Sequence, residues 1–579
     1  MIMRIRASLW VSLVLMLLVT GTVFASPSQS SEDIIDPNEG WVVPDSAGFI
    51  GSQSALFTER SSGDRPYSAL IQNSKLADNQ VNPTCTSTTD TNCNLDEFIY
   101  YAQIPVCQNV SDMNCIESMG ATDATGKDYP GSFQRYFPLK AQNQFEGNPD
   151  WHLPNGGPGS LFAIPDASGP AGNLYYVSLI MSGHGNANKS PKVSLVSITA
   201  KISPVQLQAT HINLAQCGDP TGTCNKGWLK LGSADGTYFY NEAGNDGIGC
   251  VETSWDENLC AQKEAFPVGF KFYLKARLTL APTGWLHGRM LNPDISLTQD
   301  KGVTELEVSA APLAVPTVFK SYLWKDMPPE LQSIYDPTNG RLKGHPGEGG
   351  QYRTAPSTDP NLRAWTVGPA PYEATAFTEL NAWLPYVLET ASAAPHYWSF
   401  RTLSQGELQD ANQCFSDPSQ LNGIVTTNST VYSPGPPTFD KEAGNLNYQV
   451  AAPHFTSAGD VFLGSYDLVM RSSVARCVYG FSKAPIKATI SVVSAKGSPE
   501  IATTIVNEKD GWLHLSANGF EFSSPTVAVN LSQDVPAPVA APVAAPKTTA
   551  KRTIKCMKGK TTKVVTAIKP ACPKGYTKK

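Results

Sequence analysis

The sequence predicts a mainly β protein, with two β-sandwich-like domains in tandem, disulfide-stapled loops, a Pro/Ala linker and a small basic C-terminal module. Three observations favour this fold class. Apolar and polar residues alternate strictly in several segments, glycine and proline contribute 91 of the 579 residues, and charged residues make up only 16% of the chain. Period-two alternation is typical of strands that bury one face. Low charge with many turn-forming residues favours extracellular β-structure over helical bundles.

The clearest strand signal runs from residue 270 to residue 280. Its apolar positions recur at every second residue, namely Phe270, Phe272, Leu274, Ala276, Leu278 and Leu280. The same pattern recurs in residues 486–492 and 527–531. Residues 174–181 and 192–202 flank a Gly-His-Gly-Asn segment, which predicts a hairpin.

Helix signals are few. Apolar residues between Phe377 and Leu388 share one helical face, although Pro385 interrupts the stretch, so we expect a short helix there. The Pro- and Gly-rich stretch from residue 328 to residue 371 indicates a long connection or an irregular lobe.

The first residues have the three-part pattern of a secretory signal peptide. Arg4 and Arg6 precede an apolar run at residues 9–19, and Val23-Phe24-Ala25 forms a small-x-small cleavage site. The alternative is a membrane anchor, but the run is too short to span a bilayer. We therefore expect cleavage after Ala25 and a mature chain that is secreted or associated with the cell surface, without a transmembrane segment.

The twelve cysteines predict six disulfides between nearest neighbours, because an even count in an exported chain is typical of disulfide bonds. The expected pairs are Cys85–Cys93, Cys107–Cys115, Cys217–Cys224, Cys250–Cys260, Cys414–Cys477 and Cys556–Cys572. The alternative is zinc, which favours Cys-x2-4-Cys ligand pairs that this chain lacks. We expect no metal site.

An internal echo predicts two related β-domains. Gly-Trp-Leu-His occurs at residues 284–287 and again at 511–514, and Ser-Leu-Thr-Gln-Asp at 296–300 is echoed by Asn-Leu-Ser-Gln-Asp at 530–534. The expected divisions are a signal peptide (1–25), β-rich domain 1 (26–300), β-rich domain 2 with an irregular N-terminal lobe (301–534), a Pro/Ala-rich linker (535–553) and a basic disulfide module (554–579).

Six aromatic residues of the two expected β-domains are the candidate ligand-binding residues. They are Trp285 and His287, Trp512 and His514, and Tyr397 and Trp398 from the densest aromatic cluster. Aromatic rings can stack on sugar rings. The alternative is a structural role, with the tryptophans closing the core of a hairpin and residues 395–400 forming a core strand.

The search for catalytic motifs assigns no catalytic residue and no cofactor. The histidines form neither His-x-x-x-His nor His-Glu-x-x-His, and the chain has no Gly-x-Ser-x-Gly, so a zinc hydrolase or a serine hydrolase of standard spacing is not supported. A glycosidase stays open, because its two carboxylates come from distant strands and leave no local signature.

Charge is distributed very unequally along the chain. Residues 547–579 contain 11 Lys or Arg and no acid, whereas residues 1–546 contain 33 basic and 50 acidic residues. We expect the basic module to contact an anionic cell-envelope polymer through Lys555, Lys558, Lys560, Lys563 and Lys574. The alternative is a solvated tail that only aids solubility. No nucleic-acid partner is expected.

The C-terminal sequence resembles a short module of otherwise unlike exported actinobacterial proteins. The resemblance rests on Ile-Lys-Cys-Met-Lys-Gly-Lys at residues 554–560 and Pro-Ala-Cys-Pro-Lys-Gly-Tyr at 570–576. Residues 475–482, 510–513 and 519–526 are similar to the same uncharacterised secreted group. The resemblance implies an extracellular or cell-surface location and assigns no site residues.

These observations favour a secreted or cell-surface, non-catalytic protein that binds an unknown extracellular ligand. Two alternatives stay open, an extracellular polysaccharide hydrolase with dispersed carboxylates and a structural component of the envelope.

Overall fold

The computed structural model describes residues 52–533 and 550–579, apart from several gaps. The gaps are 60–67, 74–82, 142, 170–171, 210–228, 233–237, 242–249, 255, 258, 337–349, 353–364, 374, 410, 494–498, 501–502 and 523–524. The expected signal peptide and most of the expected linker therefore lie outside the described residues.

The described chain is built mainly from strands. The strands before residue 265 are β1 Ser52–Phe57, β2 Ala69–Gln72, β3 Thr84–Cys85, β4 Phe98–Gln103, β5 Cys115–Asp123, β6 Asp128–Pro130, β7 Ser132–Phe137, β8 Gly159–Ala163, β9 Leu174–Gly185, β10 Val193–Ala209, β11 Leu229–Gly232, β12 Tyr238–Asn241, β13 Cys250–Ser254 and β14 Leu259–Lys263. Those from residue 270 to residue 402 are β15 Phe270–Leu278, β16 Gly284–Arg289, β17 Leu291–Asp300, β18 Val303–Ala311, β19 Leu313–Ala314, β20 Val318–Leu323, β21 Gly350–Tyr352, β22 Trp365–Val367, β23 His396–Tyr397 and β24 Ser399–Thr402. The remaining strands are β25 Leu421–Thr427, β26 Val431–Tyr432, β27 Thr438–Asp440, β28 Asn445–Ala451, β29 Leu463–Arg471, β30 Lys487–Val493, β31 Pro499–Glu500, β32 Thr503–Lys509, β33 Trp512–Glu521, β34 Thr526–Ser532, β35 Arg552–Lys558, β36 Thr561–Ala567 and β37 Thr577–Lys578.

Helices are short. The α-helices are α1 Pro329–Ile334, α2 Ala376–Trp383 and α3 Ser472–Tyr479, and the 3-10 turns are Pro149–Trp151, Trp324–Asp326, Leu384–Val387 and Gln413–Phe415. The expected helix over 377–388 is thus confirmed as α2, which passes into a 3-10 turn where Pro385 removes a backbone donor.

One sheet of 15 strands runs through the body of the protein, by which we mean the described residues up to Ser532. Its main path is β3-β2-β4-β9-β10-β24-β16-β25-β29-β33-β32, with β14, β13, β8 and β7 joined to its first half. Two smaller sheets accompany it, a five-stranded sheet β17-β18-β15-β5-β6 and a six-stranded sheet formed by β26, β28, β34, β30, β31 and β27. The expected alternation in β15, β30 and β34 and the expected β9–β10 hairpin are confirmed. The expected position of its turn, Gly-His-Gly-Asn at 183–186, is wrong, because residues 183–185 pair with β10 inside β9 and residues 186–192 connect the two strands.

Adjacent residues of β16 show how the large sheet serves two cores. Leu286 packs in the core that contains Phe272 and Val308 of the five-stranded sheet. Trp285 packs in the core that contains Tyr448 of the six-stranded sheet. Because successive side chains of a strand point to opposite faces, the two smaller sheets cover opposite faces of the large one.

The mainly β, sandwich-like prediction is confirmed, and the two sandwich-like halves share one sheet. Residue 300 lies at the turn of the β17–β18 hairpin, inside the five-stranded sheet. Strands that precede residue 300 in the sequence alternate in the large sheet with strands that follow it: β24 lies between β10 and β16. The described residues up to Ser532 accordingly form one compact unit, because strand pairing across residue 300 makes the two halves continuous.

A third core lies on a four-stranded sheet of order β20-β1-β22-β21. Ala55 and Phe57 of β1 pack there with Leu331 of α1 and with Leu380 and Trp383 of α2. Part of the segment expected to be irregular, residues 328–371, therefore forms α1 and two of these strands.

Four of the six expected disulfides are confirmed. They are Cys85–Cys93, Cys107–Cys115, Cys414–Cys477 and Cys556–Cys572. Cys217 and Cys224 lie outside the described residues. Cys260 is disulfide-bonded, but the side chain of Cys250 is not among those described, so this pairing stays a prediction.

Candidate functional site

The C-terminal unit, residues 550–579, is a three-stranded antiparallel sheet with β35 at its centre. Cys556 of β35 is fully buried and joins Cys572. Its neighbours in register are Lys563 of β36 and Lys578 of β37. Since paired residues of an antiparallel sheet project from the same face, both lysines flank the buried disulfide.

Every basic residue of this unit is exposed. The unit contains Lys551, Arg552, Lys555, Lys558, Lys560, Lys563, Lys569, Lys574, Lys578 and Lys579 and has no acidic residue. The Lys563 ammonium lies 5.7 Å from the centre of the Tyr576 ring. The five lysines expected to face an envelope polymer are thus solvent-accessible, on strands or turns that the disulfide holds together.

The candidate binding residues of the body lie elsewhere. Trp285 is fully buried, its indole N–H donates to the carbonyl oxygen of Phe415 at 2.9 Å, and its ring lies over Gly423. A side chain added at Gly423 would lie 2.5 Å from the indole, so the glycine makes room for the tryptophan. Trp285 therefore lies in the core, as expected if its role is structural.

In the second Gly-Trp-Leu-His unit, Trp512 lies on the opposite face of the large sheet from Trp285. The ring of Trp512 carries the Arg471 guanidinium 4.1 Å above its centre and packs in the core on the Leu286 side. His514 is part-buried, with Nε2 4.0 Å from an oxygen of Asp294. Burial lowers the pKa of His514, and Asp294 opposes this effect.

Tyr397 and Trp398 are also buried. The Lys263 ammonium lies 3.7 Å from the centre of the Tyr397 ring. The indole N–H of Trp398 lies 3.2 Å from the carbonyl oxygen of Phe272 and 3.1 Å from that of Ala310. Trp398 therefore links the large sheet to β15 and β18.

His287 lies inside a buried cluster of charged and aromatic side chains. It is 3% exposed, and its ring stacks on Tyr432 with the ring centres 3.9 Å apart and the planes 3° from parallel. The Arg289 guanidinium lies 4.6 Å from the centre of the same Tyr432 ring. Burial, reinforced by Arg289 and Arg401, lowers the pKa of His287 well below its usual value, so the imidazole is neutral at pH 7.

Arg289 joins Glu59, which lies two residues after β1, to the large sheet. Its Nε donates to Glu59 Oε2 at 2.7 Å, and Nη1 donates to the carbonyl oxygens of Thr427 and Ser429 at 2.8 Å. Nη2 lies 2.7 Å from the same Glu59 Oε2, so both nitrogens contact one carboxylate oxygen of a buried ion pair.

Arg401 forms a second buried ion pair, with Glu407. Burial alone would raise the pKa of the Glu407 carboxyl, but Arg401 and the Ser404 donors outweigh it and lower that pKa. Arg401 also lies 4.4 Å from the centre of the Tyr372 ring.

A small cavity lies beside these arginines. It is lined by Glu59, Thr199, Lys201, His287, Arg289, Ser399, Phe400 and Arg401. Its volume is about 10 Å³, which is room for a single water-sized particle. Seven of its eight lining residues have polar or charged side chains.

Sequence reasoning identified His287 but missed Glu59, Arg289, Arg401 and Glu407. One signal was present for Arg289, which follows Trp285 and His287 at every second position and therefore shares their buried face. A charged residue at a position where alternation predicts burial indicates an internal ion pair. Nothing local to Glu59 identifies its partner, which is 230 residues away.

Comparison with protein-family models, curated proteins and solved structures finds no match to this chain. Among the residues that the structure describes, no helix has the length and apolar character needed to cross a membrane. The same residues contain no group of three or more His, Cys, Asp or Glu side chains that could hold a metal ion.

Proposed function

We propose that this chain is an exported, non-catalytic binding protein that its C-terminal sheet holds to an acidic polymer of the cell envelope. The observation that carries the proposal is the exposed cluster of ten basic residues, without any acid, in residues 550–579. The β-sheet body would then contact an extracellular ligand through its loops.

The charge density of the unit supports electrostatic binding. Ten positive charges in a unit of 30 residues produce a local field that attracts polyanions, and the net charge of −17 over residues 1–546 gives the body no comparable attraction. Such binding weakens as salt shortens the screening length, from about 10 Å at 0.1 M to about 3 Å at 1 M.

The scaffold supports a binding role over that of a solvated tail. The disulfide between Cys556 and Cys572 and the pairing of three strands hold the lysines on a folded unit. A solubilising tail does not require a folded scaffold, because its charges act without fixed positions. A polymer with regularly spaced charges benefits from ligands whose positions are already ordered.

The buried cavity gives no reason to prefer the hydrolase alternative. Glycoside hydrolysis commonly uses two carboxyl groups that flank the bond to be cleaved. The cavity is lined by one carboxylate, Glu59, which is paired with Arg289.

Retention on isolated envelope fragments across a sodium chloride series tests the proposal. The test variant replaces Lys555, Lys558, Lys560, Lys563 and Lys574 with glutamine. The control replaces five exposed body lysines with glutamine, namely Lys140, Lys189, Lys301, Lys441 and Lys483. Both variants lose five positive charges, so the comparison isolates their position.

We expect the wild-type chain and the control to bind at low salt and to elute together as salt rises. The test variant should elute at clearly lower salt or fail to bind. Equal retention of the two variants would contradict the proposal, as would retention that does not depend on salt.

A further inference from the structure

Basic residues are distributed unequally over the two faces of the C-terminal sheet. Successive side chains of a strand point to opposite faces, and residues in register across an antiparallel pair share a face. Lys563 and Lys578 are in register with Cys556, and Lys558 and Arg552 lie two and four residues from it on the same strand. These four basic residues therefore project from the face that contains the buried disulfide, which we call the disulfide face.

The opposite face carries little charge. Lys555 is its only basic residue within the three strands, and its other strand positions are threonines, Met557 and Val564. The hydroxyl groups of Thr553 and Thr566, which are in register, lie 2.8 Å apart on this face. A polyanion that approaches the sheet thus meets four of its five strand cations on the disulfide face.

The disulfide face also holds Tyr576, the only aromatic residue of residues 550–579. Tyr576 is half-buried and precedes Lys578 by two residues, and Lys563 Nζ lies 5.7 Å from the centre of its ring. A side chain added at the neighbouring Gly575, where φ is +88°, would lie 3.4 Å from Lys558 Nζ. Ammonium groups from two strands therefore lie beside the Gly575-Tyr576 turn.

A ring next to several cations favours one class of polyanion. Residues 550–579 contain no Asp or Glu, so no acidic side chain within the unit neutralises these lysines, and an anionic ligand complements them. The aromatic ring adds an apolar surface on which the C–H face of a sugar ring can pack. A polyanion without rings, such as polyphosphate, pairs with the lysines but gains nothing from the tyrosine.

On the basis of the envelope-binding function above, we propose that the disulfide face binds an acidic polysaccharide. A sugar ring packs on Tyr576, and anionic groups of the polymer pair with Lys558, Lys563 and Lys578. The disulfide and the strand pairing hold these side chains on one folded face. Positions that are ordered before binding lower the entropy that binding costs.

Two charge variants of the full chain test which face binds. The test variant replaces Lys558, Lys563 and Lys578 with glutamine, and the control replaces Lys551, Lys555 and Lys569. The control residues lie on the opposite face or outside the strands, and both variants lose three positive charges. Titration with polygalacturonate at low salt should show an affinity about tenfold lower for the test variant than for the control. Equal affinities would overturn the proposal.

The variant Tyr576→Leu tests the contact with a sugar ring, because leucine keeps an apolar side chain without the flat ring. Its affinity for polygalacturonate should fall about fivefold, whereas its affinity for polyphosphate should stay unchanged. Met557→Leu is the matched control, since it changes a half-buried residue of the opposite face, and it should bind both polymers like the wild type. An equal effect of Tyr576→Leu on the two polymers, or none on either, would overturn the proposal.

Retention on envelope fragments separates this proposal from the function on which it rests. If retention depends on salt but the chain binds polyphosphate as tightly as polygalacturonate, the envelope-binding function stands and the polysaccharide assignment is wrong. If retention does not depend on salt, the envelope-binding function itself is wrong.

Discussion

Arg401 and Glu407 form a two-pronged ion pair inside the body, with Nη1 2.8 Å from Oε2 and Nη2 2.7 Å from Oε1. Their side chains are 7% and 5% exposed. This geometry matches the planar guanidinium to the planar carboxylate and satisfies both groups away from water. The pair also lies beside Tyr432, on which His287 stacks.

Removing the Glu407 charge should strongly destabilise the fold. We expect Glu407→Gln to lower the free energy of unfolding by about 3–5 kcal/mol, because Arg401 would remain charged and buried without its counter-ion. Glu257→Gln is the control, since the Arg135–Glu257 pair is 30% and 21% exposed and should cost about 1 kcal/mol or less. Urea unfolding measures both, and equal losses would contradict the prediction.

The confirmed disulfides should differ in their contribution to stability. Cys414–Cys477 joins residues 63 positions apart, whereas Cys85–Cys93 joins residues 8 apart. The chain-entropy relation predicts about 4 kcal/mol for the longer loop and about 2.5 kcal/mol for the shorter one. Paired alanine substitutions, compared by urea unfolding without reductant, should show the larger loss for Cys414 and Cys477. The reverse order would count against an entropic origin.

Two aspartates, Asp90 in a loop and Asp123 at the end of β5, should make the fold sensitive to acid. Backbone N–H groups of Thr86 and Asn92 lower the pKa of Asp90 from 3.8 to about 2, and the Thr125 hydroxyl is the main cause of the same shift at Asp123. A depressed native pKa stabilises the fold above the unfolded value of 3.8 and loses this effect as pH falls towards 2.

The pair of variants Asp90→Asn and Asp123→Asn tests this pH dependence. Each should be less stable than the wild type at pH 7 and should lose less stability between pH 4 and pH 2. Asp300→Asn, at the exposed turn between β17 and β18, controls for the loss of one negative charge. Melting temperatures measured across this pH range provide the comparison, and parallel curves for all chains would refute the assignment.

Much of the local structure was predictable because its causes are local. Alternation in residues 270–278 depends only on which face of one strand is buried, and the structure confirms β15 there. Short-range cysteine pairs such as Cys85–Cys93 close loops whose ends are already near each other. Pro385 marks the place where α2 passes into a 3-10 turn, since proline lacks the backbone donor that a helix needs.

The candidate site was less predictable because its parts come from distant segments. The Gly-Trp-Leu-His echo drew attention to His287, but it did not indicate that Trp285 and Trp512 lie on opposite faces of one sheet. That difference depends on which strands pair with β16 and β33, and pairing is a property of the whole fold.

By itself, the sequence determined the fold class, the short disulfide loops and the charge of the C-terminal unit, because alternation, cysteine spacing and composition act within short segments. Only the tertiary structure decided that strands from both halves share one sheet and that Glu59 meets Arg289 across 230 residues. The physical reason is that strand pairing depends on the burial of complete faces, so partners are selected by the packing of the whole sheet.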